Sequence, residues 1–175
     1  EKNKAYSNLA LDAQLRQNRE NTVSSAFVTA LVYGVLERKI TLDYILSAFL
    51  KQPIKKLRTE VLTALRLGVY QIKFMDKVPV SAAVNESVKL VKTNGCAYAS
   101  GLVNSVLRKV ADSAVLYPEK TDFLQYLSVR YSCPTALVQH YIDDYGAENA
   151  EGILMSSIGP VPTVLRVNTL KTNET

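Results

Sequence analysis

The chain has 175 residues, 47% apolar and 21% charged, a globular composition rather than a disordered or fibrous one. No apolar run approaches the ~20 residues of a membrane-spanning helix, the N-terminal residues lack a signal-peptide pattern, and two cysteines with one histidine are too few ligands for a His/Cys zinc site. The net charge of +5 is uneven: residues 1–113 carry 17 Lys/Arg against 9 Asp/Glu, and residues 114–175 carry 4 against 7, so the first part is the one suited to a polyanion such as nucleic acid.

The opening EKNKAYSN reads as the interior of a chain rather than its start. SNLALDAQL (7–15) predicts a helix with Ser7 as N-cap, its hydroxyl accepting an orphan N–H. In TVSSAFVTALVYGVLERK (22–39), Val23, Phe27, Leu31 and Val35 recur every four residues, a helical face directed at a core. TLDYILSAFL (41–50) follows, with Thr41 as N-cap, Asp43 in the first turn, and Pro53 beyond the end. KKLRTEVLTALRLGVYQIKFM (55–75) has the clearest stripe: Leu57, Val61, Leu65, Val69 and Ile72.

DKVP breaks the pattern, and Pro79 pre-sets the start of VSAAVNESVKLVK (80–92), with Val84, Val88 and Val91 on one face. Asn94-Gly95 is a C-cap, since both residues tolerate the left-handed conformation. YASGLVNSVLRKV (98–110) resumes with Val103, Val106, Leu107 and Val110 aligned. The looser ADSAVLYPEK (111–120) coincides with the charge switch and is read as a boundary. Helices follow in TDFLQYLSVRY (121–131), in PTALVQHYIDDYG (134–146) between Pro134 and Gly146, and more weakly in AENAEGILMSSIGP (147–160). TVLRVNTLKTNET (163–175) alternates instead: Val164, Arg166 and Asn168 point one way, Leu165 and Val167 the other, as in a strand. Short-looped helices without a preceding strand make an all-α bundle.

No dinucleotide fingerprint, phosphate loop or nucleophile elbow is present. His140 has no nearby nucleophile and is expected at the surface or as a cap. Asp143 and Asp144 are adjacent and diverge around a helix, so a solvated helix end is expected. Glu86 and Asn104 interrupt apolar runs. They are expected to hydrogen-bond to backbone or to one another across packed helices, the alternative being a ligand contact. Cys96 and Cys133 read as buried free thiols of a reducing cytoplasm. The candidate RNA-binding residues are Arg16, Arg19, Lys51, Lys55, Lys56, Arg58, Lys89, Lys92, Arg108 and Lys109, with Arg38 and Lys39 completing the basic set. Positive charge at the helix start near Lys55, Lys56 and Arg58 opposes the helix dipole, which suggests another reason for its presence. Such residues hold phosphates by charge and carry little sequence information.

AFVTALVYGVLERKITLDYIL, LRLGVYQIKFMDKVPVSAAVNESVKLVK and GLVNSVLRK together resemble the NusB-like domain of RsmB/Sun proteins. YLSVRYSCPTALVQHYIDDYG and LRVNTLK resemble the segment that follows it there, so the resemblance covers nearly all of residues 6–172. These are bacterial 16S rRNA 5-methylcytosine methyltransferases that use S-adenosylmethionine. The resemblance implies a NusB-like RNA-binding domain over 1–113, a helical linker over 114–160 and the first strand of a truncated RRM-like subdomain over 161–175. It implies a cytoplasmic protein whose catalytic domain, cofactor site and two catalytic cysteines lie beyond Thr175, leaving no catalytic, cofactor-binding or metal residue in this chain. The family nucleophile and its helper stand in Thr-Cys and Pro-Cys contexts, whereas Cys133 precedes Pro134 in a linker-like flank.

NusB itself, an antitermination protein that binds boxA RNA with a ribosomal protein, shares the helical core. It ends soon after the helix resembling GLVNSVLRK and usually carries an acidic residue where Arg108 stands. Both features favour RsmB/Sun. The expected partner is 16S rRNA. The other reading is a docking module, packing on the catalytic domain of its own protein or on a ribosomal protein. Convergence of Lys55, Lys56, Arg58 and Arg108 favours RNA; dispersal around an apolar patch favours docking.

Overall fold

The structure, a computed structural model, describes residues 6–17, 24–158, 164, 166–168 and 171. Among the described residues there are nine α-helices and no strand. They are α1 (Ser7–Gln17), α2 (Ser25–Glu37), α3 (Lys39–Phe49), α4 (Thr59–Phe74), α5 (Val80–Thr93), α6 (Ser100–Asp112), α7 (Phe123–Arg130), α8 (Thr135–Tyr145) and α9 (Ala147–Ser156). Single 3₁₀ turns, Ile54–Lys56 and Ala97–Ala99, precede α4 and α6. Most of the alternating tail, Val23 and Arg19 lie outside the described residues; Val164, Arg166, Val167 and Asn168 have no regular secondary structure.

The apolar stripes meet in one core. Val61, Leu65 and Val69 of α4, Val84 and Val91 of α5, and Val103, Val106, Leu107 and Val110 of α6 are buried against Leu42, Ile45 and Leu46 of α3. Each such side chain contributes about 1.5–3 kcal/mol when fully buried. Gly68 lets α4, α5 and α6 close on one another: a Cβ there would fall 2.5 Å from a Leu107 methyl and 2.8 Å from Ser87 Oγ. A second cluster holds Tyr126, Leu127, Cys133, Val138 and Leu154, with Tyr117, Phe123 and Tyr141 packed around it.

Two helices end in the same way, each with a cysteine. After α5, Gly95 has φ +68° and Cys96 N–H donates back to Val91 C=O at 2.8 Å. After α7, Ser132 has φ +52° and Cys133 N–H donates to Ser128 C=O at 3.0 Å. These are Schellman closures, whose outermost residue commonly packs back on the helix. Cys96 plugs the first cluster and Cys133 the second. Both thiols are free and buried, and burial pushes the Cys133 thiol pKa up, which holds it protonated.

Several sequence expectations are displaced. Ser7 is the first helical residue rather than the N-cap, because Ala10 N–H closes its turn on Tyr6 C=O. α3 starts at Lys39, where Leu42 N–H reaches Arg38 C=O, so Thr41 lies inside the helix. Its buried hydroxyl donates across the molecule to Val129 C=O at 2.5 Å. Asp43 falls outside the first turn and pairs with Arg66 of α4 through two bonds of 2.7 and 2.8 Å.

The α2 stripe is covered only toward its C-terminal end. There Gly34 meets the Tyr70 ring so closely that a Cβ would sit 2.0 Å from it, and Val35 packs on the core. Phe27, 37% exposed, and Leu31 instead line an apolar groove of about 470 Å³ with Leu67 of α4 and Ala82, Glu86 and Leu90 of α5. Glu86 and Asn104 lie off the buried stripes and do not meet across helices: exposed Glu86 faces Lys89 at 3.8 Å, and half-buried Asn104 accepts from Arg108 Nε at 3.1 Å.

Candidate nucleic-acid interface

The connection from α3 to α4 builds one end of the basic surface. Pro53 opens the 3₁₀ turn that presents Lys55 and Lys56, both exposed, and Leu57 tucks into the core. Arg58 then takes the cap position of α4 in an extended conformation. Its Nε donates to Glu60 Oε2 at 3.3 Å. Glu60, in the first turn of α4, offsets the unfavourable placement of cations at a helix start. Cys96, Glu60 and Tyr98 raise the pKa of Arg58, so they are close by. Tyr98 is 72% exposed. A shallow depression of about 250 Å³ joins Thr59, Glu60 and Thr63 of α4 to Leu90 and Asn94 of α5, which places Lys92, in the last turn of α5, at the same end. Lys51, exposed, stands in the chain just before Pro53.

The remaining candidates lie elsewhere. α6 runs alongside α4 in the same direction: Tyr98, just before it, is near Arg58, Leu107 touches Gly68, and Lys73 reaches carbonyls at its far end. Arg108 and Lys109 are therefore displaced along α6 by about 12 Å from its start at Ser100. The structure brings Lys55, Lys56 and Arg58 together and leaves Arg108 apart. Lys89 is engaged by Glu86, and Arg16 of α1 by Asp12 at 2.8 Å. Arg19 lies outside the described residues.

Tyr98 escaped the sequence reading, although it precedes the buried stripe of Val103, Val106, Leu107 and Val110 and takes no part in it. An exposed aromatic ring near Arg58 can stack on an unpaired base while the cation holds a phosphate. His140 is exposed, with Nε2 3.4 Å from Asp144 of the next turn, and Asp143 accepts from Gln139 at 2.7 Å. The two aspartates thus serve separate surface partners. Among the described residues, no three His, Cys, Asp or Glu side chains come together to hold a metal ion. No helix among them is long and apolar enough to cross a membrane.

A profile of the NusB family matches residues 1–112. The chain is 37% identical over 172 residues to the probable ribosomal RNA small subunit methyltransferase B of Bacillus subtilis, covering 98% of this chain and 38% of that protein. It is 33% identical over 175 residues to the protein of the same name from Synechocystis sp., covering 97% and 38%. It is also 36% identical over 104 residues to the transcription antitermination protein NusB of Idiomarina loihiensis, covering 59% of this chain and 75% of that protein. The chain thus spans well under half the length of the methyltransferases it matches. No solved structure matches it. The helical bundle over α2–α6 and the profile over more than half of the sequence agree: the chain belongs to the NusB family.

Proposed function

We propose that this chain is the RNA-engaging helical part of a bacterial 16S rRNA cytosine-5 methyltransferase of the RsmB/Sun type. The observation that carries this is the reach of the similarity. It covers 98% of the chain in the Bacillus subtilis methyltransferase, past the family match that ends at residue 112 and through α7–α9, but only 59% in a NusB protein. In this reading residues 1–113 hold RNA, residues 114–160 link, and residues 161–175 open a further subdomain. The whole protein works in the cytoplasm.

S-adenosylmethionine supplies the methyl group in such chemistry. In this reading its site belongs to another part of the protein. The role left to this chain is to hold rRNA so that a base, taken out of its stack, reaches that site.

The test is fluorescence anisotropy of this chain with a single-stranded 16S rRNA fragment across salt. Micromolar or weaker binding that falls steeply with salt is expected, and no binding at about 50 mM salt overturns the reading. Replacing Lys55, Lys56, Arg58 and Arg108 by glutamate is expected to abolish binding while the circular dichroism spectrum is kept.

A second reading, a docking module, draws on the apolar groove beside Phe27 and Leu31 and on the distance of Arg108 from the other three cations. Unchanged RNA affinity in the fourfold variant favours it.

A further inference from the structure

We propose that Tyr117, Lys120, Arg130 and Tyr131 form a second contact for single-stranded RNA, at the seam where α7 meets α3. The proposal rests on the RNA reading above and adds a site in the segment whose overall charge argued against one.

Residues 113–158 hold six Asp/Glu and only two Lys/Arg, Lys120 and Arg130. Both cations are gathered on the same aromatic group. The Arg130 guanidinium carbon lies 5.6 Å from the ring of Tyr117 and 5.7 Å from those of Tyr126 and Tyr131. Lys120 Nζ lies 5.4 Å from the ring of Tyr126, which both cations thus share. Neither cation forms an ion pair among the described residues, in a segment rich in carboxylates. Surface charges placed only for solubility have no need of this arrangement.

The guanidinium is oriented rather than free. Arg130 Nε donates to Tyr131 Oη at 3.4 Å, and that hydroxyl donates to Glu151 at 3.1 Å. The hydrogen bond to Tyr131 raises the Arg130 pKa. Glu151 is therefore occupied by the tyrosine, and the Nη groups of Arg130 have no hydrogen-bond acceptor among the described residues. A planar fork with open donors matches a phosphate, and its position is already set by three rings. Tyr117 and Tyr131 are half-buried, so part of each ring remains for a base to stack on.

The seam extends this surface. Ser132 Oγ accepts from Ile40 N–H at 3.0 Å, which ties the end of α7 to the start of α3. Arg38 is itself laid over Phe74 at 4.7 Å. Each side of the junction thus carries a cation laid on an aromatic ring. That is the chemistry of a strand with splayed bases, whereas an acidic peptide would not need the ring faces.

The experiment uses the 175-residue chain and a uridine-rich oligoribonucleotide carrying 4-thiouridine. After photo-crosslinking, mass spectrometry is expected to find adducts in the tryptic peptides that hold Tyr117 or Tyr131. In parallel, the K120Q/R130Q variant is expected to bind three- to tenfold more weakly. Its slope of log affinity against log salt should fall by roughly 1.4, the effect of two lost phosphate contacts on a single strand. A purely structural clasp lowers the melting temperature instead and leaves that slope unchanged, which overturns the proposal. Crosslinks confined to residues 51–109 overturn it too while keeping the RNA reading. Absence of binding by the unaltered chain overturns both. If the variant fails to fold, the crosslink map of the unaltered chain decides alone.

Discussion

Arg66 is a cation inside the α4 helix with only 8% of its side chain exposed, and Asp43, 29% exposed, meets it in a fork of two hydrogen bonds. Burying a guanidinium is tolerated only when its charge and donors are met. The two partners are unequally placed, and that yields a prediction. Removing Asp43 takes the carboxylate away from a buried charge, whereas removing Arg66 leaves a carboxylate that water can reach. D43A is expected to destabilise the fold by about 2–4 kcal/mol and R66M by clearly less, read as shifts in the urea midpoint at constant slope. Equal losses would show that the pair acts as a surface contact. The sequence placed Asp43 in a first helical turn because Thr41 resembled a cap. Its true partner is 23 residues away, a distance that helical periodicity does not encode. Glu86 and Asn104 fail to be core groups for a related reason. A polar residue within an apolar run can face outward whenever the run is longer than the buried stripe, and only the packing shows which residues are left outside.

At the scale of the element, the helices from α4 to α6 are legible because each repeats a buried position every three or four residues over about two turns or more. The Asn94-Gly95 stop is legible because glycine takes a left-handed φ without strain. The stop at Ser132 is not, since a serine at φ +52° carries about 1–2 kcal/mol of strain. Its hydroxyl answers for that by accepting the Ile40 N–H, an otherwise orphan donor in the first turn of α3. The two terms predict different results for two small substitutions. S132A keeps the strain and loses the bond, and is expected to lower the melting temperature by roughly 3–6 °C. S132G loses the bond but relieves the strain, and is expected to stay within about 2 °C of the original. A calorimetric scan in which S132G falls as far as S132A would remove strain from the account.

At the scale of the whole molecule, the charge of the sequence changes sign near residue 113, and the residues packed on the two apolar clusters divide between Val115 and Tyr117. What the sequence could not reveal is how the two parts are joined, because the hydrogen bonds of the seam span 88 and 92 residues. The same gap hid the basic-aromatic junction, whose two sides are far apart in the chain. The Thr41 hydroxyl is fully buried and satisfies the Val129 carbonyl, which lies in the last turn of α7 and has no partner within its own helix. T41V keeps the shape of the side chain and removes the donor, leaving a buried carbonyl whose desolvation costs about 1–3 kcal/mol. That cost falls on the docking of α7 against α3 rather than on the α4–α6 core, where none of the lost contacts lie. Hydrogen exchange by mass spectrometry is therefore expected to show the amides of α7–α9 exchanging about tenfold faster in T41V, with those of α4 and α5 unchanged. Equal acceleration throughout would mean that both clusters open as one unit, so that Thr41 stabilises the whole bundle rather than the seam at which the second RNA contact is built.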